Sequence, residues 1–208
     1  CSSPERFAQD LQEVQPTIMT AVPRLYEVLF NRINTGISAK GGLSEILFKK
    51  AVQIGTAKIF KKQISFSDYL LDKLLDFLIR KKISKRLGGR LKFFVSGGAA
   101  LNPDIGRFFL SLGVQILQGY GQTEGMTMTF LSQEDHQFAI QGIQEKRLSS
   151  CGRPGFVTEV SVVDTDGKPV PKDGSTSGEI IIKSEANMVG YWQKPDLTAE
   201  TIKNGWMW

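Results

Sequence analysis

Between Leu91 and Glu124 an apolar run, a glycine-rich bend and a helix signal are followed by a second apolar run and a second glycine bend. Few folds accommodate that order. Leu91-Lys92-Phe93-Phe94-Val95 has strand composition and leads into Ser96-Gly97-Gly98-Ala99-Ala100-Leu101. Asn102 is a good N-cap and Pro103 suits a first helical position, which predicts a helix through Ile105, Phe108, Phe109 and Leu112, stopped by Gly113. Val114-Gln115-Ile116-Leu117 reads as the second strand and runs directly into Gly119-Tyr120-Gly121-Gln122-Thr123-Glu124. Such a strand–helix–strand crossover is right-handed and joins neighbouring parallel strands whose carboxyl ends lie side by side. Both glycine bends are therefore expected on the sheet edge where open α/β sheets bind ligands.

The residue types at that edge suit a nucleotide. Gly97 and Gly98 carry no Cβ and let main chain approach a flat base, on which Tyr120 could lay its ring. The Thr123 hydroxyl donates to a phosphate oxygen, and Glu124 is a hard oxygen ligand suited to a phosphate-bridging Mg²⁺. The same segments also read as ordinary glycine turns leaving strands, with Glu124 solvated, and spacing alone does not separate the two readings.

Together the two segments resemble core motifs of the adenylate-forming superfamily of acyl-CoA synthetases, adenylation domains and luciferases. Gln15-Pro16-Thr17 and Val22-Pro23-Arg24-Leu25-Tyr26-Glu27 resemble the segment that precedes the nucleotide loops in long-chain acyl-CoA synthetases. Gly152-Arg153-Pro154-Gly155, Glu159-Val160, Val162-Val163-Asp164, Gly178-Glu179-Ile180-Ile181-Ile182, Gly190-Tyr191-Trp192 and Gly205-Trp206 follow in that family's order. The resemblance implies that Gly97, Gly98 and Ala99 line adenine and that Tyr120 stacks on it, with Gly119, Gly121 and Gln122 as further nucleotide-site residues. It implies catalytic roles for Thr123 at the α-phosphate and for Glu124 on Mg²⁺.

The implied reaction converts a carboxylic acid, in this branch a long-chain fatty acid, to an acyl-adenylate with ATP and then to a thioester with coenzyme A. An adenylating enzyme that loads a carrier protein and a non-catalytic nucleotide-binding module are the alternative readings. Nothing in the chain matches the superfamily's phosphate loop, its ribose-binding Asp or its adenylation Lys. The resemblance therefore implies an internal part of a larger enzyme's N-terminal domain, inactive alone.

The rest of the chain predicts an α/β fold, with a mostly parallel sheet flanked by helices over residues 1–150 and a short antiparallel β layer over 151–208. In the family that layer belongs to a distorted β-barrel. Ser3 and Pro4 start a predicted short helix through Leu11, and Thr17 to Ala21 read as a strand. Pro23 opens an amphipathic helix with Leu25, Val28, Leu29 and Ile33 on one face. Gly41-Gly42 ends it, and helices are predicted over 44–61 and 67–86, the second with Leu70, Leu71, Leu74, Leu75, Leu78 and Ile79 as an apolar stripe. Beyond Cys151 come predicted strands over 159–163 and 178–183, an Asp-Gly turn at Asp164 to Gly167, and a short helix over 196–202.

With 41% of 208 residues hydrophobic, the chain has the means to bury a core, which excludes disordered and fibrous classes. It has no apolar run of membrane-span length and no signal-peptide pattern at its start, so a cytoplasmic setting is expected. Cys1 and Cys151 lack partners at metal spacing, and His136, in a polar segment, reads as a solvated loop residue.

The net charge of +5 is concentrated in Lys58, Lys61, Lys62, Lys73, Arg80, Lys81, Lys82, Lys85, Arg86, Arg90 and Lys92. A basic amphipathic region at 58–92 suits peripheral contact with an anionic membrane, while a charge run is also the ordinary composition of a solvated face. Nucleic acid is not expected as a partner, because no interleaved aromatics accompany the cations. Gly190-Tyr191-Trp192 reads as hairpin packing or a tunnel gate, Phe93, Phe94, Phe108, Phe109 and Phe130 as core or acyl-pocket lining, and Arg153 as a phosphate contact or a surface ion pair.

Overall fold

A computed structural model describes residues 6–60, 62–140, 147 and 150–208. Ser3, Pro4, Cys1 and Lys61 therefore lie outside the described residues. The chain forms two compact units, residues 1–118 with 131–150, and residues 119–130 with 151–208.

In the first unit, Phe7–Val14 (α1) and Ile18–Ala21 (β1) lead into Pro23–Ser38 (α2) and Gly42–Ile59 (α3). Phe66–Leu75 (α4), a π-helical turn at Asp76–Arg80 and Lys81–Arg86 (α5) precede Phe93–Ser96 (β2) and Pro103–Ser111 (α6). Gln115–Gln122 (β3) completes the predicted crossover and passes into the second unit after Gln118. β1, β2 and β3 run parallel, with Ala21 paired to Ser96 and Ser96 to Gln118. The larger sheet, in order β1-β2-β3-β4-β5, is thus mostly parallel, its last two strands belonging to the antiparallel part described below.

Helix α6 forms as its sequence dictates. The Asn102 side chain caps it by accepting from Asp104 N–H at 2.8 Å, Pro103 opens it, and Ile105, Phe108 and Phe109 face inward. Gly113, at φ 81°, turns the chain toward β3 in a conformation costly for a side chain. On α2 the fully buried residue is Tyr26, whose hydroxyl donates to the Val95 carbonyl on β2 at 3.0 Å. Its ring meets Phe94 edge-on at 5.1 Å, and Phe94, Phe108 and Phe109 complete an aromatic core of mutually tilted rings. Burial raises the Tyr26 phenol above its ordinary range. Helices α3 and α6 touch at Gly55, where an added Cβ would fall 2.0 Å from the Ser111 carbonyl oxygen.

The helical stretch predicted over 67–86 is found as one unbroken run of α4, a π turn and α5. Ser65 caps α4 by accepting from Asp68 N–H at 3.1 Å. The π turn ends on Arg80, which points inward to pair with Asp72 at 2.7 Å and to donate to the carbonyls of Ala51 and Ser111 at 3.2 and 3.4 Å. Burial alone raises the Asp72 carboxyl, but hydrogen bonds and charges from Lys58 and Arg80 outweigh it and hold the group below the ordinary range. The predicted apolar stripe splits. Leu75 is buried, whereas Leu70 and Leu74 are 53% and 51% exposed, and outside the stripe Phe66 and Phe77 are 78% and 62% exposed. Lys73 lies over the Tyr69 ring at 5.0 Å and Lys81 over Phe77 at 5.6 Å, giving this side of the helix an apolar and cationic surface. Among the described residues no helix is long and apolar enough to cross a membrane.

Beyond the turn that ends β3 come Met126–Leu131 (β4) and Gln133–Ile140 (α7), the latter in the first unit. In the second unit Arg153–Pro154 (β5) pairs antiparallel with β4. Thr158–Val163 (β6), Glu179–Ser184 (β7), Pro195–Thr201 (α8), Ile202–Lys203 (β8) and Trp206–Met207 (β9) follow. The last four strands form an antiparallel sheet in the order β6-β7-β9-β8. Asp164 stabilises the predicted turn, its side chain accepting from Asp166 and Lys168 N–H at 2.9 Å. The sheet is open and makes no closed barrel among the described residues, because four strands, two of them only two residues long, are too few to close on themselves.

Candidate nucleotide-binding residues

In the first unit Gly97, Gly98 and Ala99 form one loop beyond the carboxyl end of β2. The loop is pinned at both ends: Gly97 N–H donates to the Ala21 carbonyl at 3.2 Å, and Leu101 N–H donates to the Gln118 side-chain oxygen at 3.3 Å. Between these anchors Gly98 sits at φ 82°, while Gly98, Ala99 and Ala100 are exposed. Gly98 is there for its backbone, since an added Cβ would make only ordinary contact with Val22. Ser96, where the loop begins, buries its hydroxyl oxygen without a hydrogen-bond partner, and a buried orphan of this kind marks places that ligands or water satisfy.

Gln118, which the sequence did not single out, and His136, which it placed in solvent, support this loop. Gln118 holds Leu101 from one end of its amide and lies 3.0 Å from His136 Nε2 at the other. His136 is not a solvated loop residue but a nearly fully buried one on α7, with Nδ1 2.7 Å from the Ser132 carbonyl. Its neighbour Asp135 takes the charge of the segment, paired to Arg147 at 2.6 Å. Polarity of the sequence around His136 pointed to solvent, whereas tertiary packing buries the ring. The legible signal is Gln118 itself, a polar residue that continues the strand run beyond Leu117.

The expected second glycine bend proves to be strand. Gly119 to Gln122 belong to β3, and only Thr123, Glu124 and Gly125 make the turn into β4. Gly121 permits this hairpin, because a Cβ there would fall 2.0 Å from the Met126 carbonyl oxygen. Gly125 is equally enclosed, by the side-chain ends of Ile182, Met207 and Met128 from the unit's own core. On the hairpin so fixed, Tyr120 is 40% exposed, Gln122 and Thr123 are exposed, and Glu124 is half-buried.

Glu124 is the most constrained of these. Its main-chain oxygen accepts from Met188 N–H at 2.6 Å, and its carboxylate Oε1 accepts from the Tyr191 hydroxyl at 3.0 Å. That bond raises the Tyr191 phenol, since the carboxylate favours the proton staying on the phenol oxygen. Tyr191 is itself fixed where its N–H donates to Thr198 Oγ1 at 2.9 Å. The Gly190-Tyr191-Trp192 segment thus supplies a carboxylate partner in Tyr191 and a largely exposed ring in Trp192. Arg153 is exposed on β5, Cys151 is a free and exposed thiol, and no group of three metal-ligand side chains occurs among the described residues.

A mostly parallel sheet flanked by helices, together with an open antiparallel sheet, is an α/β architecture. Solved structures share it: the amide bond synthetase McbA from Marinactinospora thermotolerans superposes with a TM-score of 0.60 at 20% identity, over 99% of this chain and 30% of that one. The family model described as AMP-binding enzyme matches residues 2–192, and the chain belongs to that family. Long chain acyl-CoA synthetase 1 of Arabidopsis thaliana is 29% identical over 199 residues, 95% of this chain and 28% of the relative. The peroxisomal long chain acyl-CoA synthetase 6 of the same organism is 31% identical over 211 residues, 97% of this chain and 27% of the relative. The chain therefore spans under a third of the length of these curated relatives.

Proposed function

We propose that the chain is the nucleotide-handling part of an acid–thiol ligase that activates a long-chain fatty acid with ATP. The observation that carries this reading is Glu124 at a hairpin tip, its carboxylate held by the Tyr191 hydroxyl and its main-chain oxygen by Met188 N–H, on the same hairpin as the exposed Tyr120 and Thr123. Holding a charged side chain in one place costs rotamer entropy, and that cost serves a site better than a solvated face. Since the chain covers under a third of its relatives, the activity is ascribed to the whole protein.

In the proposed reaction a substrate carboxylate oxygen attacks the α-phosphorus of ATP, forming an acyl–phosphate bond as the α–β phosphoanhydride breaks and pyrophosphate leaves. The sulfur of coenzyme A then attacks the acyl carbon, forming the thioester as the acyl carbon–oxygen bond breaks and AMP leaves. Gly98 and Ala99 offer exposed main chain and Gly97 half-buried main chain to the adenine, Tyr120 its ring face, and Gly119, Gly121 and Gln122 the strand that carries it. The Thr123 hydroxyl donates to an α-phosphate oxygen. A single hard carboxylate fits a Mg²⁺ that takes its remaining ligands from phosphate and water, and Glu124 would hold that ion, which supplies charge neutralisation at the phosphates. Tyr191, bonded to Oε1, fixes the direction in which the Glu124 carboxylate faces. Residues 1–150 and 151–208 are read as parts of two subdomains, α/β and β-rich.

The exposed Phe66, Leu70 and Phe77 beside Lys73 and Lys81 support a peripheral contact of the cytoplasmic enzyme with an anionic lipid surface, from which its fatty acid would come. The decisive experiment is pyrophosphate release by the complete protein and its Glu124→Gln variant, supplied with palmitate, ATP and Mg²⁺. Loss of release with retained fold supports the reading, and unchanged release removes Glu124 from the metal role.

A further inference from the structure

Gln118 is the last residue of the first unit before the Gly119 segment, and both ends of its amide are engaged. Its Oε1 accepts from Leu101 N–H at 3.3 Å, and its Nε2 lies 3.0 Å from His136 Nε2. The other ring nitrogen, Nδ1, lies 2.7 Å from the Ser132 carbonyl oxygen. A carbonyl only accepts, so Nδ1 carries the ring proton, and Nε2 of the neutral ring accepts from Gln118. Each of these three contacts then joins a donor to an acceptor, in one protonation state alone. We propose that neutral His136 is a positioning residue that orients the Gln118 amide and through it pins the Gly97-Gly98-Ala99 loop at Leu101. Its consequence for nucleotide affinity rests on the role proposed above for that loop.

Protonation of the ring turns Nε2 into a donor facing the Gln118 NH₂. Turning the amide over would satisfy the ring but set an NH₂ against Leu101 N–H, so one donor is stranded either way, and a buried stranded donor is costly. The charged group beside the ring is Asp135, on its own helix, which is occupied by Arg147 and by the Ser132 hydroxyl at 2.9 Å. From β3 and from the segment before α6 the partners are Gln118 and the Leu101 main chain, neither of which titrates. Burial pushes the imidazole below its ordinary 6.5, against the opposing pulls of the Ser132 carbonyl and the Asp135 charge. With the folded value depressed, the unfolded chain takes up the proton first. Stability is complete above about pH 6.5 and drains away as pH falls from there towards the folded value.

Gln118→Glu provides a test with an inverted sign, because a carboxylate accepts from Leu101 N–H and from a protonated ring at once. Ring nitrogen shifts and amide hydrogen exchange are to be followed in the full chain from about pH 8 to 5, with His136→Gln identifying the ring signals. In the parent the ring should hold its proton on Nδ1, and the Leu101 protection factor should fall about tenfold on acidification. In Gln118→Glu the ring should titrate higher and Leu101 should stay protected in acid. An Nε2-protonated ring in the parent, or the parent's pH dependence unchanged in Gln118→Glu, would overturn the proposal. AMP binding on the same samples separates the two readings: no binding at any pH, with the exchange pattern intact, fails the nucleotide role and leaves the relay standing.

Discussion

Replacing Gly121 by alanine should be far more damaging than the same change two residues earlier at Gly119. The Cβ added at 121 would lie 2.0 Å from the Met126 carbonyl oxygen and 2.9 Å from Thr127 Cα, all of it main chain. Ordinary contact begins near 3.4 Å, so the facing strand must retreat by 3.4 − 2.0 = 1.4 Å. No side-chain rotation relieves it. At Gly119 the nearest atom is Thr127 Cγ2 at 3.2 Å, which leaves 3.4 − 3.2 = 0.2 Å for a side chain to absorb. Forced overpacking costs about 1–3 kcal/mol, and alanine's smaller loss of unfolded-state freedom returns about 0.4–1 kcal/mol. Because only main chain can give way at 121, the upper end of that cost applies, about 3 kcal/mol less about 0.4–1 kcal/mol, so Gly121→Ala should destabilise by about 2 kcal/mol net, while Gly119→Ala stays within about 0.5 kcal/mol of the parent. For a chain of this size that separates the melting temperatures by about 4–8 °C. All three tryptophans, Trp192, Trp206 and Trp208, lie in the second unit, so urea unfolding followed by their fluorescence reads the unit that contains the hairpin. Midpoints for the two variants that coincide would refute the close-approach reasoning.

Tyr191→Phe removes the hydroxyl from Glu124 Oε1 without changing ring packing; the Mg²⁺ concentration for half-maximal pyrophosphate release should rise roughly tenfold, the range typical of lost metal-site partners, and an unchanged Mg²⁺ requirement would dismiss Tyr191 as a positioning residue. Phe77→Asp on the exposed side of the π turn should abolish co-sedimentation with phosphatidylserine vesicles while leaving the far-ultraviolet spectrum intact, and equal sedimentation of parent and variant would end the membrane reading.

The crossover from β2 through α6 to β3 was legible because each step carried its own local signal: Asn102 and Pro103 for the start, the inward spacing of Ile105, Phe108 and Phe109, and Gly113 for the stop. The hairpin was less so. Gly119 and Gly121 have two meanings in sequence, a bend or a place where main chains touch, and only the position of Met126 on the facing strand decides between them. A signal for β4 was present in the alternation Met126-Thr127-Met128-Thr129, though it was overshadowed by the glycines. The inward Arg80 and the buried His136 had no local signature at all. Arg80 opens a run of cations and His136 lies in a polar stretch, yet both turn inward to partners that include distant ones, Ala51 and Ser111 for the one and Gln118 for the other. Likewise the Tyr191 hydroxyl finds Glu124 across 67 residues of chain, a pairing that no window of sequence contains.

The two glycines at the tip of the second unit's hairpin are closed to side chains for different reasons, and they should leave different traces among homologues. Gly121 abuts main chain, so no single partner can make room for it. Gly125 abuts the mobile ends of Ile182, Met207 and Met128. A homologue that shortens one of those three side chains gains space for alanine at the position of Gly125. Position 125 should therefore co-vary with 182, 207 or 128 in the family, whereas position 121 should vary with nothing.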